Sequence, residues 1–230
     1  MATNGGGIIP FSIYNGRIFL LLGREDCYDR TWSECGKYSD FGGSRDDEEE
    51  NLEAIAREAY EESFGLLGPY ESLLELIQKE EFSYKIVLGR SEFFFIHIPY
   101  VFFIDKIFHN MLRCSYIMVE TLGLKDKLKY DDELVKGESD KYLMHHGFYE
   151  KDKIKYFALE QVLTEIFDNE KRKKYRECFI RLMKKFYRSK ELISGILMDL
   201  KVWKFNVDSD KLLHPIMNEI TVDEEESVGI

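Results

Sequence analysis

The chain has 230 residues, 44% hydrophobic and 14% aromatic, which suits one large domain, or one domain with additions, around a substantial core. No basic stretch followed by an apolar run opens the sequence. The greasiest segment, Phe93 to Ile104, is interrupted by His97 and Pro99 and is too short to span a bilayer, so neither secretion nor membrane anchoring is expected. A net charge of −11 disfavours a polyanionic partner for the molecule taken as a whole.

Four dispersed cysteines, Cys27, Cys35, Cys114 and Cys178, show no Cys-x-x-Cys spacing and suggest neither a disulfide framework nor a zinc site. A reducing, cytoplasmic setting is expected.

Met1 to Gly7 reads as a small, polar lead into a strand over Ile8 to Ile13, and Asn15-Gly16 marks a hairpin turn. Arg17 to Gly23 is the partner strand, closing at Arg24-Glu25. Trp32 to Phe41 is a loop running into a short strand. A helix follows from Leu52, with Leu52, Ile55, Ala56, Ala59 and Ser63 as its apolar stripe. After the breaker Gly68-Pro69, Leu73, Leu74, Leu76 and Ile77 fit either a strand or a short helix. Glu81 to Leu88 reads as a strand, Gly89-Arg90 as a turn, and Phe93 to Ile104 as a buried strand bent or ended by Pro99. His97 within it is expected to be a satisfied core histidine.

Phe108 to Glu120 fits helix or strand, and Lys125 to Lys141 is a charged loop inside an insertion of residues 121–150. Ile154 to Leu163 reads as a strand entering a helix. A helix from Asn169 to Arg188 then buries Tyr175, Phe179, Leu182 and Phe186 and turns Lys174, Arg181, Lys185 and Arg188 outward. The domain is expected to cover residues 1–190, with residues 191–230 an extension ending in the acidic run Asp223 to Glu226.

Charge is divided into two opposed blocks. Ser44 to Leu66 holds nine acids against Arg45 and Arg57, whereas Lys171 to Lys190 holds ten lysines and arginines against Glu177 alone. Within the acidic block Glu58, Glu61 and Glu62 fall at i, i+3 and i+4 on one helix face, roughly opposite the apolar stripe. Three like charges so close raise one another's pKa unless a cation sits among them. Hard oxygen donors of this kind suit Mg²⁺ or Mn²⁺, which also bind phosphate oxygens.

The run from Gly43 to Gly65, GSRDDEEENLEAIAREAYEESFG, resembles the Nudix box, Gly-x5-Glu-x7-Arg-Glu-U-x-Glu-Glu-x-Gly-U, with U a bulky aliphatic residue. Gly43, Glu49, Arg57-Glu58 and Glu61-Glu62 stand at the matching places. By order of elements the likeness extends from Ile8 to Arg188. The resemblance implies an α/β/α sandwich with a mixed β-sheet, here with a C-terminal helical extension, and a hydrolase that cleaves a nucleoside diphosphate linked to another group. It also implies metal ligation by Glu58, Glu61, Glu62 and the carbonyl of Gly42, and an Arg57–Glu49 pair that holds the loop in shape.

Many Nudix proteins use a further glutamate outside the box, for which Glu150 is the nearest candidate and Glu138 the next. Arg24, Trp32 and Phe41 are candidate substrate contacts. Either aromatic would stack on a base or simply cap the edge of the core. One position departs from the box: Phe64 replaces its glycine, which predicts a helix one residue longer with Gly65 as its left-handed cap.

The basic helix 171–190 is either an exposed face with surplus lysine or a phosphate-tracking surface. In the second case its place resembles that in mRNA-decapping Nudix enzymes. Capped RNA, cleaved to release 7-methylguanosine diphosphate, is then the first substrate to expect. An oxidised dNTP, ADP-ribose, a dinucleoside polyphosphate or a diphosphoinositol polyphosphate is the alternative.

Overall fold

A computed structural model describes residues 5–27, 31–46, 48–121 and 146–203. Strand β1 (Gly6–Tyr14) turns at Asn15-Gly16, whose φ angles of 50° and 72° suit a tight two-residue hairpin, into β2 (Arg17–Glu25). The two strands pair only from Phe11 to Tyr14 on the β1 side. Beyond that point they part, and the segment that begins with β3 (Tyr38–Ser39) fills the gap. Tyr38 and Ser39 pair with Arg24 and Gly23. Phe41 exchanges two backbone hydrogen bonds with Ile8, at 2.7 and 3.0 Å, and the Gly43 carbonyl accepts from the Gly6 N–H at 3.1 Å.

Strand β5 (Ser91–His97) runs parallel to β1 and antiparallel to β4 (Ser83–Leu88), while β6 (Lys151–Ala158) pairs antiparallel with β2. The result is a mixed six-stranded sheet.

Alternation along the strands divides the core into two layers. Ile8, Leu21, Phe94, Ile96 and Ile154 face helices α1 (Asn51–Glu62), α2 (Tyr70–Ile77) and α3 (Ile104–Thr121). Ile9, Leu20, Leu22, Phe93 and Phe95 face the other way, toward α4 (Leu159–Glu165), α5 (Glu177–Tyr187) and α6 (Lys190–Asp199). This is the α/β/α sandwich with a mixed sheet that the resemblance implies. Ile193, Leu197 and Leu200 are buried in the second layer, while Trp203 packs against the first and its N–H donates to the His97 carbonyl at 2.7 Å. His97 is itself buried, stacked on Phe11 and bonded through Nδ1 to the Leu200 carbonyl at 3.1 Å.

Several expectations need correction. The apolar run from Phe93 ends as a strand at His97, because Pro99 cannot extend the ladder; Ile104 already begins α3, and Phe102 and Phe103 between them are exposed. The helix read from Asn169 to Arg188 is broken. Lys171–Lys174 form a 3-10 turn, Tyr175 and Arg176 are extended, and only Glu177–Tyr187 is α-helical. Tyr175 is pinned beside Tyr38, whose carbonyl accepts the Arg176 N–H at 3.0 Å, and a continuous helix is incompatible with that bridge.

Cys27 and Cys35 form a disulfide. The pairs Glu25 N–H to Lys37 carbonyl (2.9 Å) and Gly36 N–H to Glu25 carbonyl (3.0 Å) fold the loop back on itself and bring the two Cα atoms to 4.9 Å. Leu73 to Ile77 and Phe108 to Glu120, each open between helix and strand, are helical. Lys125 to Lys141, Glu138 and Asp223 to Glu226 lie outside the described residues.

The end of α1 also differs from expectation. The helix stops at Glu62, and Phe64 and Gly65 both enter the left-handed region, at φ 55° and 69°. A side chain there costs about 1–2 kcal/mol relative to glycine. Burial of the Phe64 ring, 9% exposed and edge-on to Phe108, Phe148 and Tyr149, offsets that cost. Replacing Phe64 by Ala is therefore expected to lower unfolding free energy by about 3–5 kcal/mol. Phe64→Gly, freed of the left-handed penalty, should be about 1 kcal/mol milder than Phe64→Ala in denaturant titrations.

Candidate active site

Helix α1 lays Ile55, Ala56 and Ala59 on the sheet, and this seats its acidic face against the gap between β1 and β2 rather than in open solvent. Glu61 and Glu62 are both buried. Glu62 is held at both oxygens: Oε1 lies 3.0 Å from the Lys151 ammonium, and Oε2 accepts the Gly42 N–H at 2.6 Å. Gly43 comes so close to the helix that a Cβ there would stand 2.6 Å from the Glu58 carboxyl carbon and would push that carboxylate aside.

Lys151 is fully buried. Besides Glu62 its ammonium contacts Glu25 and donates to the Ser39 hydroxyl at 3.2 Å. Glu25 in turn accepts from the Ser39 hydroxyl at 2.8 Å and from Arg176 Nη1 at 3.0 Å. Burial alone would strip Lys151 of its proton, but the Glu62 and Glu25 carboxylates outweigh it and hold its pKa above the ordinary lysine range. Burial pushes Glu62 up, and Lys151 acts against that shift.

A second layer lies toward solvent. Arg57 donates from Nε and Nη2 to the two Glu49 oxygens, at 2.9 and 3.2 Å, and reaches Glu58 at 3.1 Å and Glu61 at 3.3 Å through Nη1. Glu49 also accepts the Asp46 N–H at 3.2 Å, so one guanidinium ties the acidic loop to the helix.

Carboxylate oxygens of Glu58, Glu62 and Glu150 all lie within 4.8 Å of one another. Glu150 arrives from the 3-10 turn His146–Tyr149, and its carbonyl accepts the Asp26 N–H at 2.8 Å. Burial, opposed by Arg57 and reinforced by Glu150 and Glu61, pushes the Glu58 carboxyl up to about 7. An all-oxygen, all-carboxylate donor set with surplus negative charge fits Mg²⁺ or Mn²⁺.

The convergent set thus differs from the helix face read in the sequence. Glu150 joins Glu58 and Glu62, while Glu61 turns toward Arg57. Phe41, named as a base-stacking candidate, is fully buried on Ile8 and Leu21 and has no face for a base. Trp32 is half-buried under the Arg176 guanidinium, 5.5 Å from its ring centre. Arg24 makes a bidentate pair with Asp152, both contacts 2.7 Å.

Of the basic residues, Lys174 pairs with Glu165 at 2.7 Å and lies over Phe157 and Tyr175. Arg181, Lys185 and Arg188 are exposed on or just after α5, on the opposite side of the sheet from α1, and Lys185 donates to the Val87 carbonyl.

The residues missed from the sequence are Lys151, Glu25 and Ser39. In KDKIKYFA the lysines alternate as a solvent face should, and Lys153 and Lys155 are exposed. A register shift between Arg24 and Glu25 turns Lys151 inward instead, and no sequence signal marks it.

No protein-family model and no curated protein matches this chain. Solved structures with some likeness include a C. elegans Ap4A hydrolase complex (14% identity, 82% of this chain and 99% of that one, TM-score 0.35). Others are a mutT/nudix family protein from Listeria innocua (16%, 85% and 99%, TM-score 0.40) and the Nudix hydrolase RenU from M. smegmatis (10%, 84% and 90%, TM-score 0.36). At these values the likeness carries no weight for function, which rests on the site itself.

Two measurements probe the site. Lys151→Met leaves Glu62 and Glu25 buried without their shared cation and is expected to cost about 3–5 kcal/mol in chemical denaturation. Protons compete with a metal for Glu58, which titrates at about 7, so the rise in melting temperature given by saturating Mn²⁺ should be larger at pH 8 than at pH 6.

Proposed function

We propose that this chain is a metal-dependent pyrophosphohydrolase of the Nudix type that cleaves a nucleoside diphosphate linkage by attack of water at phosphorus. The observation that carries the reading is the convergence of Glu58, Glu62 and Glu150, with Glu62 clamped between Lys151 and the Gly42 N–H. Glu58, Glu62 and Glu150 would hold the ion. Bound there, Mg²⁺ or Mn²⁺ neutralises charge on bridging phosphates and acidifies water. Lys151 and Gly42 keep Glu62 in one orientation, and Arg57 keeps Glu58 from being displaced toward the loop. Glu150, half-buried and supplied from outside the helix, accepts the proton of the attacking water.

Capped RNA is the first substrate class under this reading, with 7-methylguanosine diphosphate and 5′-monophosphate RNA as products. Its support is the cationic surface of Arg181, Lys185 and Arg188. A second reading, a small nucleotide such as a dinucleoside polyphosphate, is favoured by a different observation. Lys171, Lys173, Lys174, Arg176 and Lys190 already pair with Asp168, Glu170, Glu165, Glu25 and Glu191, which leaves less charge for a polyanion.

Glu62→Gln is expected to lower kcat for anhydride hydrolysis by at least about 100-fold, with the fold retained by circular dichroism. An unchanged rate would remove the metal assignment. Capped RNA and free cap dinucleotide supplied at equal concentration with Mn²⁺ separate the two readings. Preference for the long substrate, falling steeply with salt, supports RNA, and preference for the dinucleotide supports the small nucleotide.

A further inference from the structure

The Cys27–Cys35 bond closes a loop that leaves β2 directly after Glu25 and Asp26 and returns through Gly36 and Lys37 to β3. The bond is no part of a wider framework, since Cys114 and Cys178 remain thiols. Nor does it alone bring the ends of the loop together. Hydrogen bonds from the Glu25 N–H to the Lys37 carbonyl and from the Gly36 N–H to the Glu25 carbonyl already fasten the root. Both cysteines are half-buried, so a small thiol can reach them. Opening the bond would loosen the loop and leave the sheet folded. A single reachable disulfide among free thiols fits sensing rather than stapling.

What the loop touches gives the bond its reach. Asp26, the residue before Cys27, donates its N–H to the Glu150 carbonyl at 2.8 Å, and Glu150 supplies one of the three converging carboxylates. Two loop residues meet Arg176: the Trp32 ring lies 5.5 Å from its guanidinium, and a Glu34 oxygen lies 4.0 Å from its Nε. Arg176 holds Glu25, Glu25 holds Lys151, and Lys151 holds Glu62. The loop thus bears on Glu150 from one end and, through these ion pairs, on Glu62 from the other. Three carboxylates within 4.8 Å of one another repel, so they part when the groups that hold them loosen.

We propose that the Cys27–Cys35 pair is a redox switch on metal binding: closed, it keeps Glu150 and Glu62 converged with Glu58, and open, it lowers the affinity of the cluster for Mg²⁺ or Mn²⁺. The inference rests on the metal-site reading above and adds a control to it. Opening uses a dithiol reductant. The protein S–S bond breaks, one S–S bond forms in the reagent, and two electrons and two protons pass to the sulfurs of Cys27 and Cys35. A low-molecular-weight disulfide such as oxidised glutathione closes the pair again and leaves as two thiols.

Mn²⁺ binding to the full chain without nucleotide, measured by titration calorimetry after removal of the redox reagent, tests the switch apart from hydrolysis. Peptide mapping is expected to show Cys27 joined to Cys35 after oxidised glutathione and separate after dithiothreitol. The oxidised form should bind Mn²⁺ about 10-fold more tightly than the reduced form. Cys27→Ser/Cys35→Ser should match the reduced form and respond to neither reagent, which separates the bond from any effect on Cys114 or Cys178. Absence of the link after oxidation overturns the proposal. So does equal Mn²⁺ affinity in the two forms, even where reduction lowers the melting temperature, because a purely structural bond would behave in that way. Either result leaves the hydrolase reading standing, since that reading depends on Glu62→Gln in anhydride cleavage.

Discussion

A lysine ammonium sealed inside the molecule organises the site. Lys151 has no exposed surface, and an isolated charge so placed would be strongly unfavourable unless neutralised. It is satisfied by Glu62 from α1, Glu25 from β2 and the Ser39 hydroxyl from β3, with Arg176 matching the second carboxylate. These two acids and two bases come from four different parts of the chain, and the buried Asp40 carboxyl lies in the field of both bases. Loss of one partner would leave its neighbours charged and buried, so this network constrains β6, β2, α1 and the entry to α5 together. It also orients Glu62, whose second oxygen is taken by the Gly42 N–H.

The layer nearer solvent is not balanced. Arg57 is shared by Glu49, Glu58 and Glu61, while Glu58 must also tolerate Glu62 and Glu150 within 4.8 Å. Burial, opposed by Arg57 and reinforced by Glu150 and Glu61, holds the Glu58 carboxyl above the ordinary carboxylate range. The buried ion pairs of the inner layer position the carboxylates, and an outer layer short of positive charge leaves a place for a divalent cation. Glu61, equally acidic in sequence, is paired with Arg57 one helical turn before it, through the same Nη1 that reaches Glu58.

The basic stretch 171–190 has a mixed character once folded. Its first half is a 3-10 turn and an extended pair, in which Lys171, Lys173 and Lys174 are matched locally and Arg176 at the rear of the site. Only the second half is helical, with its apolar residues in the core and its exposed cations on the sheet face away from α1. Sequence charge overstated the surface available to a polyanion, because pairing and the break at Tyr175 are set by neighbours distant in the chain.

The two-layer sandwich was implied only by the resemblance to the Nudix box, whereas local sequence alone determined most of the strands, the hairpin at Asn15-Gly16, helix α1 with its apolar stripe and the shared helix face of Glu58 and Glu62. These follow from alternation, helical spacing and turn chemistry, which act over a few residues. Glu150 was reachable only as a guess among loop acids, since nothing in its neighbours marks it. Lys151 was hidden by a register shift, Phe41 by a strand gap that closes over it, and the Cys27–Cys35 pair by a loop that doubles back. The ring contact of Tyr116 with Tyr149 likewise exists only where α3 meets the 3-10 turn His146–Tyr149. Tertiary structure decided all of these, because burial and charge pairing depend on which segments the sheet brings together, and that information does not lie in any one stretch of the chain.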